Sequence, residues 1–437
     1  ADGRLQPDEA VLARALALAT EHSGSALAWR VAAHLHLIAE RKDDAFRIAQ
    51  RAMARLPGDA SIGKLATDMA IAAHRVDEAS SAALAWRKMA AAETFEVDVA
   101  RATIELLQRH AEHGFQIVRP IAGEVLQRAD DPAALHTLIA CGVLSGRMDE
   151  ILPIVKTLPA DRRAAVAREW IETSKALDAS RAGAAIEAAS AVAGESAQVR
   201  AMAAAAWTEL CGEGNSEACT RAEQAIAALA EEDAPLVLLR ADLAAARGET
   251  DDALRLYRGV YETALEAAES GSSRDLAAIV ARIEHDAAFA AKFGSSVVPV
   301  IALHGAAECL LRAGRDAAQA IVLAQASAQM LPDAPDVGDT LVRALIAGNR
   351  TADAAKALAS MKDGILPALG AAELAIARKD DAEARRALAR AEARMQSEAI
   401  PGRALVDRLR RIEEAVGASQ AVSQAERAEE AGGRAEP

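Results

Sequence analysis

Histidine, cysteine and the carboxylates are the residues through which this chain could bind metal, exchange electrons or move protons. His110-Ala111-Glu112 is an H-x-E triplet, the form that zinc-dependent deamination uses, but no P-C-x-x-C follows, so two of three protein ligands are missing. His34 and His36 lie two apart and point to different sides of a helix, which does not clamp a metal. His110 and His113 share a face, but the favoured reading is a solvated turn with at most weak affinity, so neither metal nor cofactor is expected. Cys211 ends one helical segment and Cys219 opens the next, where a bond would staple a helical hairpin; the alternative is two ordinary small residues at buried positions. Cys141 and Cys309 read as core, and without a C-x-x-C the cysteines do not point to redox catalysis. Glycine-rich phosphate loops, a G-x-S-x-G elbow and H-E-x-x-H are all missing, and no cluster of acids and histidine assembles on one face. The expectation is a chain that is not an enzyme.

The elements that must position these residues are helices. Hydrophobic residues make up 52% of the 437 and aromatics only 3%, a balance that suits closely packed helices and starves a β-sandwich core. No stretch alternates with the period of two that a half-buried strand needs. The formal charge of −14, with 64 acidic against 50 basic residues and no compact basic cluster, argues against nucleic acid as a partner. The longest apolar run, near 297–311, contains His304 and Glu308 and falls short of the roughly 20 residues a membrane helix requires, so no membrane insertion is expected. The chain opens at Ala1 without the features of a signal segment, which suggests a processed protein or a piece of a longer one. Nine lysines against 41 arginines, with abundant alanine, suggest a bacterial source.

An internal period organises the chain. Glu40-Arg41-Lys42-Asp43-Asp44-Ala45 and His74-Arg75-Val76-Asp77-Glu78-Ala79 are both a polar turn, an acidic pair and an alanine, with the alanines 34 residues apart. The same turn recurs before Ile151 and Ala253 and, around Gly314-Arg315-Asp316, before Ala320; Ile151 to Ala253 is 102 residues, three times 34, and Ala320 to Ala354 is 34 again, while Ala354 to Ala384 is 30. Each turn lets a first helix end in an irregular or left-handed conformation and sets acids at the positive end of a second. Such periodicity signals stacked units.

With Trp29, Ala32, Ala33, Ala45, Ala49, Ala52 and Pro57 in register, the chain resembles the tetratricopeptide repeats. The resemblance implies an all-α fold, a right-handed solenoid of about ten to eleven helical hairpins beginning near 26, 60, 94, 132, 166, 200, 234, 268, 301, 335 and 365. Residues 1–25 read as a partial unit or cap, 26–398 as the solenoid, 399–417 as a polar capping helix and 418–437 as a flexible tail. The segment Arg109 to Phe115 interrupts the register by about four residues, and 270–298 is bracketed by Gly/Ser runs; both are candidate bends. The loop from Cys211 to Cys219 resembles that of bacterial cysteine-rich helical-repeat proteins, which implies a disulfide and a periplasmic or cell-surface location, the alternative being cytoplasmic.

In the family, partners lie against the second, fifth, ninth, twelfth and thirteenth residues of each first helix. Carried over, these are Leu27, Arg30, His34, Leu37 and Ile38, then Ser61, Lys64, Asp68, Ile71 and Ala72, with Asp242 and Arg312 at such positions in later units. The family's carboxylate clamp is not matched, since His34 and Leu65 stand where it needs asparagine. The resemblance thus implies a scaffold that binds a protein or peptide, in a bacterial cell-envelope assembly or export system. The alternative is the regulatory part of a larger cytoplasmic signalling protein or enzyme.

Overall fold

The period is set by how most first helices stop. In the computed structural model, which describes residues 7–90, 94–128, 131–194, 196–229, 234–268, 297–397 and 401–432, each of these helices ends on a residue in the left-handed region. These residues are Glu40, His74, Arg109, Gly146, Gly248, Gly314, Asn349 and Lys379, with φ between 55° and 77°. The next N–H along the chain then donates to the carbonyl five residues back, as in Arg41 to His36 (2.8 Å), Arg75 to Ala70 (2.8 Å), Arg147 to Gly142 (2.7 Å) and Arg350 to Leu345 (2.7 Å). Carbonyls that the helix end would leave unsatisfied are paired in this way. Five of the eight positions are not glycine, at a conformational cost of about 1 kcal/mol each.

All regular structure among the described residues is helical. The chain divides into two compact units, one of residues 1–174 with 192–194, the other of 175–191 with 195–437. The first contains α1 (Glu9–Glu21), α2 (Ala26–Ile38), α3 (Lys42–Arg55), α4 (Ala60–Ala72), α5 (Val76–Met89), α6 (Thr94–Leu107), α7 (Ala111–Val118), α8 (Ala122–Gln127), α9 (Pro132–Ser145), α10 (Met148–Lys156) and α11 (Ala160–Ser174). In the second are most of α12 (Ala179–Ala193), then α13 (Ala197–Gly212), α14 (Ser216–Ala227), α15 (Ala234–Ala246), α16 (Thr250–Ala268), α17 (Val297–Ala313) and α18 (Ala317–Met330). It continues with α19 (Pro335–Ala347), α20 (Thr351–Ser360), α21 (Ile365–Ala377), α22 (Asp381–Ser397) and α23 (Arg403–Gly432).

Within a hairpin the helices meet through small residues. Ala32 and Ala33 of α2 and Ala45, Ala49 and Ala52 of α3 are fully buried in one core cluster, with Trp29 filling the space beside them and donating its indole N–H to the Ser23 carbonyl at 3.0 Å. Most first helices start where the period puts them, at Ala26, Ala60, Thr94, Pro132, Ala234, Pro335 and Ile365. Those expected at 166, 200 and 301 begin three to six residues earlier, at Ala160, Ala197 and Val297.

The two irregular stretches resolve differently. Beyond the Arg109 turn the second helix is broken: α7 gives way to a 3-10 turn at Arg119–Ile121 and then α8. Pro120 explains the break, since it lacks the N–H that a continuous helix needs. The unit expected near 268 falls on the end of α16 and on 269–296, and the latter lies outside the described residues; α16 packs directly against α17. The final helix is assigned through Gly432, past the expected boundary at 417, in keeping with the helix propensity of its Ala, Glu, Gln and Arg residues.

Two helices approach closely at Gly63, where an added Cβ would lie 2.8 Å from Met89 Cε and 2.9–3.0 Å from Trp86 Cβ and Cα. Gly63→Ala is expected to destabilise the protein by about 1–3 kcal/mol. Gly123→Ala in α8, where the new methyl meets nothing within 4 Å, should not. Thermal unfolding of both variants checks this.

Candidate functional site

The first-helix row of the first unit is a chain of half-exposed charges. Lys64 on α4 pairs with Glu96 on α6 at 3.1 Å, lies 4.0 Å from Asp68, and sits over the Trp86 ring at 5.2 Å from its centroid. Burial pushes the Asp68 carboxyl up, opposed by Lys64, His34 and Arg30, while Glu96 adds to the rise. Four of the residues expected from sequence, Arg30, His34, Lys64 and Asp68, thus act on one another. His34 is exposed and its Nδ1 lies 2.8 Å from the Arg30 carbonyl. Leu37 and Ile71 are half-buried against the core and present less of themselves to a partner.

In the second unit, first helices α13, α15 and α17 surround a recess of about 250 Å³. Asp242 and Arg312, both expected from sequence, line it together with Glu209, His304, Glu308 and Cys309. Asp242 accepts a hydrogen bond from the Tyr257 hydroxyl. Burial pushes both groups up, and the nearby Asp242 charge raises the phenol further, so Tyr257 stays a donor. His304 Nδ1 is buried with no hydrogen-bond partner, while Arg312 is exposed at the rim.

A polar ladder continues from the recess along successive first helices. Glu308 on α17 accepts from the Thr340 hydroxyl (2.6 Å) and from Arg343 (2.8 Å), both on α19. Arg408 on α23 is buried and donates to both carboxylate oxygens of Asp339 on α19 (2.6 and 3.0 Å) and of Glu373 on α21 (2.8 and 2.8 Å). Burial works against the Arg408 charge, yet the bonds to Glu373 and Asp339 hold its pKa above the ordinary value. Arg403, at the start of the same helix, reaches further: its side chain bonds Glu213 (2.7 Å) and the Leu177 carbonyl (2.5 Å), and its N–H bonds the Lys175 carbonyl (3.1 Å).

Cys211 and Cys219 are joined by a disulfide with a Cα separation of 4.6 Å, which closes the loop carrying Glu213. Cys141 and Cys309 are free and buried, and burial pushes the Cys141 thiol up to about 12, with the Glu105 charge adding to it. Among the described residues no helix is long and apolar enough to cross a membrane.

No family model matches the chain, and no curated protein does. Solved structures do. The Naa15/Naa10 complex bound to HypK matches at 14% identity and a TM-score of 0.28, over 95% of this chain and 70% of that one. Yeast Tom70 matches at 13% and 0.30, over 93% and 97%. The APC/C hetero-tetramer Cut9–Hcn1 matches at 11% and 0.33, over 87% and 75%. Likeness at this level carries no argument, and the fold is read from the recurring left-handed turns and alanine contacts of the chain itself. It is an array of tetratricopeptide-type helical hairpins.

In a tetratricopeptide-type array, partners across neighbouring first helices recur at about one repeat. Thr340 and Arg343 lie 32 and 35 residues after Glu308, and Arg408 lies 35 after Glu373. Sequence reasoning placed Asp242 and Arg312 but missed this ladder, although the spacing was there to find. Burial alone would raise the Glu308 carboxyl, but Arg343, Thr340 and His304 outweigh it and hold the group below its ordinary 4.5. A carboxylate favoured in this way contributes stability above that value and loses it as pH falls through the folded-state pKa. Wild type is therefore expected to melt above Glu308→Gln at neutral pH, with the gap narrowing as pH drops below 4.5; melting curves of both proteins across pH test it.

Proposed function

We propose that the chain is a non-enzymatic scaffold that holds a partner protein or peptide against the first-helix face of its hairpins. It does so in an oxidising compartment, as part of a bacterial envelope-assembly or export system. The observation that carries the binding reading is the recess on α13, α15 and α17. There a donor at the rim (Arg312) and acidic groups on the wall (Glu209 and Asp242) offer polar partners to an incoming chain. A fold alone does not assign a function, so the proposal rests on this site and not on the hairpins. The disulfide between Cys211 and Cys219 supports the oxidising compartment, since cytosolic thiol buffers keep most such pairs reduced.

A photo-reactive amino acid in place of Arg312 should form a protein adduct in the producing organism, whereas one in place of Arg255, exposed on second helix α16, should not. Equal labelling at both positions, or none at Arg312, would defeat the binding reading. Independently, alkylating the denatured, natively produced protein without reductant should modify Cys141 and Cys309 only. Modification of all four cysteines would remove the support for export.

A further inference from the structure

The turn between α6 and α7 departs from its counterparts in chemistry. Elsewhere the residue after the left-handed position is commonly an arginine that pairs with an acid three residues on: Arg75 with Glu78 (3.6 Å), Arg147 with Glu150, and Arg350 with Asp353 (2.8 Å). In this turn the same two positions are His110 and His113. The residue five before His110, whose carbonyl accepts the His110 N–H at 2.8 Å, is Glu105; its equivalents at the other turns include Ala70, Gly142 and Leu345. Backbone geometry that merely ends a helix elsewhere thus folds a carboxylate under two imidazoles.

We infer that Glu105, His110 and His113 form a binding site for a zinc-class divalent cation. The Glu105 Oε2 lies 3.3 Å from His110 Nδ1 and 3.8 Å from His113 Nδ1, and one ligand atom from each residue falls within 4.8 Å of the others. With metal–ligand bonds of about 2.0–2.1 Å, the edges of a tetrahedral site are roughly 3.4 Å long, so the groups already stand close to the spread required. Two imidazoles and one carboxylate are a donor set for zinc, nickel or copper and not for magnesium or calcium, which prefer oxygen. Three protein ligands leave a fourth position open to water or to a donor from another molecule. The cation would lie where the negative end of α6 meets the positive end of α7, so the two helix dipoles largely offset. Glu112 is not part of the set, because it accepts from Gln116 at 3.0 Å and pairs with Arg147 at 3.6 Å. Spacing along the chain pairs only the two histidines; the third ligand is supplied by the turn.

The test is calorimetric titration of the full chain, dialysed against chelator, with zinc chloride. One equivalent is expected to bind, with magnesium giving no signal. Glu105→Gln and His113→Asn should each weaken zinc at least roughly tenfold while leaving the circular dichroism unchanged. Cobalt(II) in place of zinc should give absorption bands of nitrogen and oxygen ligation. The inference is overturned if no saturable equivalent binds, if both variants bind zinc as wild type does, or if cobalt shows a thiolate charge-transfer band, which would put the metal on Cys141 or Cys309.

Discussion

Alanine at the helix contacts is the constraint on which the rest of the structure depends. A hairpin whose facing positions are Ala32, Ala33, Ala45, Ala49 and Ala52, all fully buried, brings its two backbones close enough for each side chain to be enclosed. A single extra methyl at such contacts is felt, because packed interiors have no slack to receive it. Little apolar area is gained per alanine, so stability accumulates over many similar interfaces between neighbours instead of in one large core. Occasional large residues such as Trp29, Trp86, Phe115 and Tyr257 close the gaps that the small ones leave.

That regularity is why most of the fold was legible in the sequence. The acidic pairs after several turns, the alanine spacing and Trp29 identify hairpins because each has a local cause: a dipole, a close approach, a filled gap. Legibility fails where the cause is not local. Pro120 breaks the second helix of the irregular unit, but nothing near it in sequence shows how the extra residues are absorbed. The recess was half visible: Asp242 and Arg312 sit at expected positions, while Tyr257 comes from a second helix and His304 from a first helix whose start is displaced. Arg408 lies on the helix read only as a polar cap, and its pairing with Asp339 and Glu373 depends on two first helices distant in sequence.

The first-helix faces of the two units solve the same electrostatic problem differently. Lys64, Glu96 and Asp68 stay half-exposed, where pairs contribute little and salt weakens them further. Arg408, Asp339 and Glu373 are largely enclosed, where removing one partner would strand buried charge at a cost of about 3–5 kcal/mol. The first arrangement leaves charge available at the surface; the second uses it to fix α23 on α19 and α21.

Arg403 gives the second unit a mechanical property that a simple stack of hairpins lacks. In an open stack, tension on the last helix peels the units off one at a time, each resisting only through its neighbour. Here the start of α23 is fastened to Lys175, Leu177 and Glu213, more than 180 residues earlier in the chain. Pulling on that end loads the beginning of the unit at the same moment, and the side-chain clasp must rupture before peeling can start. Because Glu213 lies between two cysteines bonded to each other, the anchor cannot be drawn out of its loop without taking the α13–α14 hairpin with it.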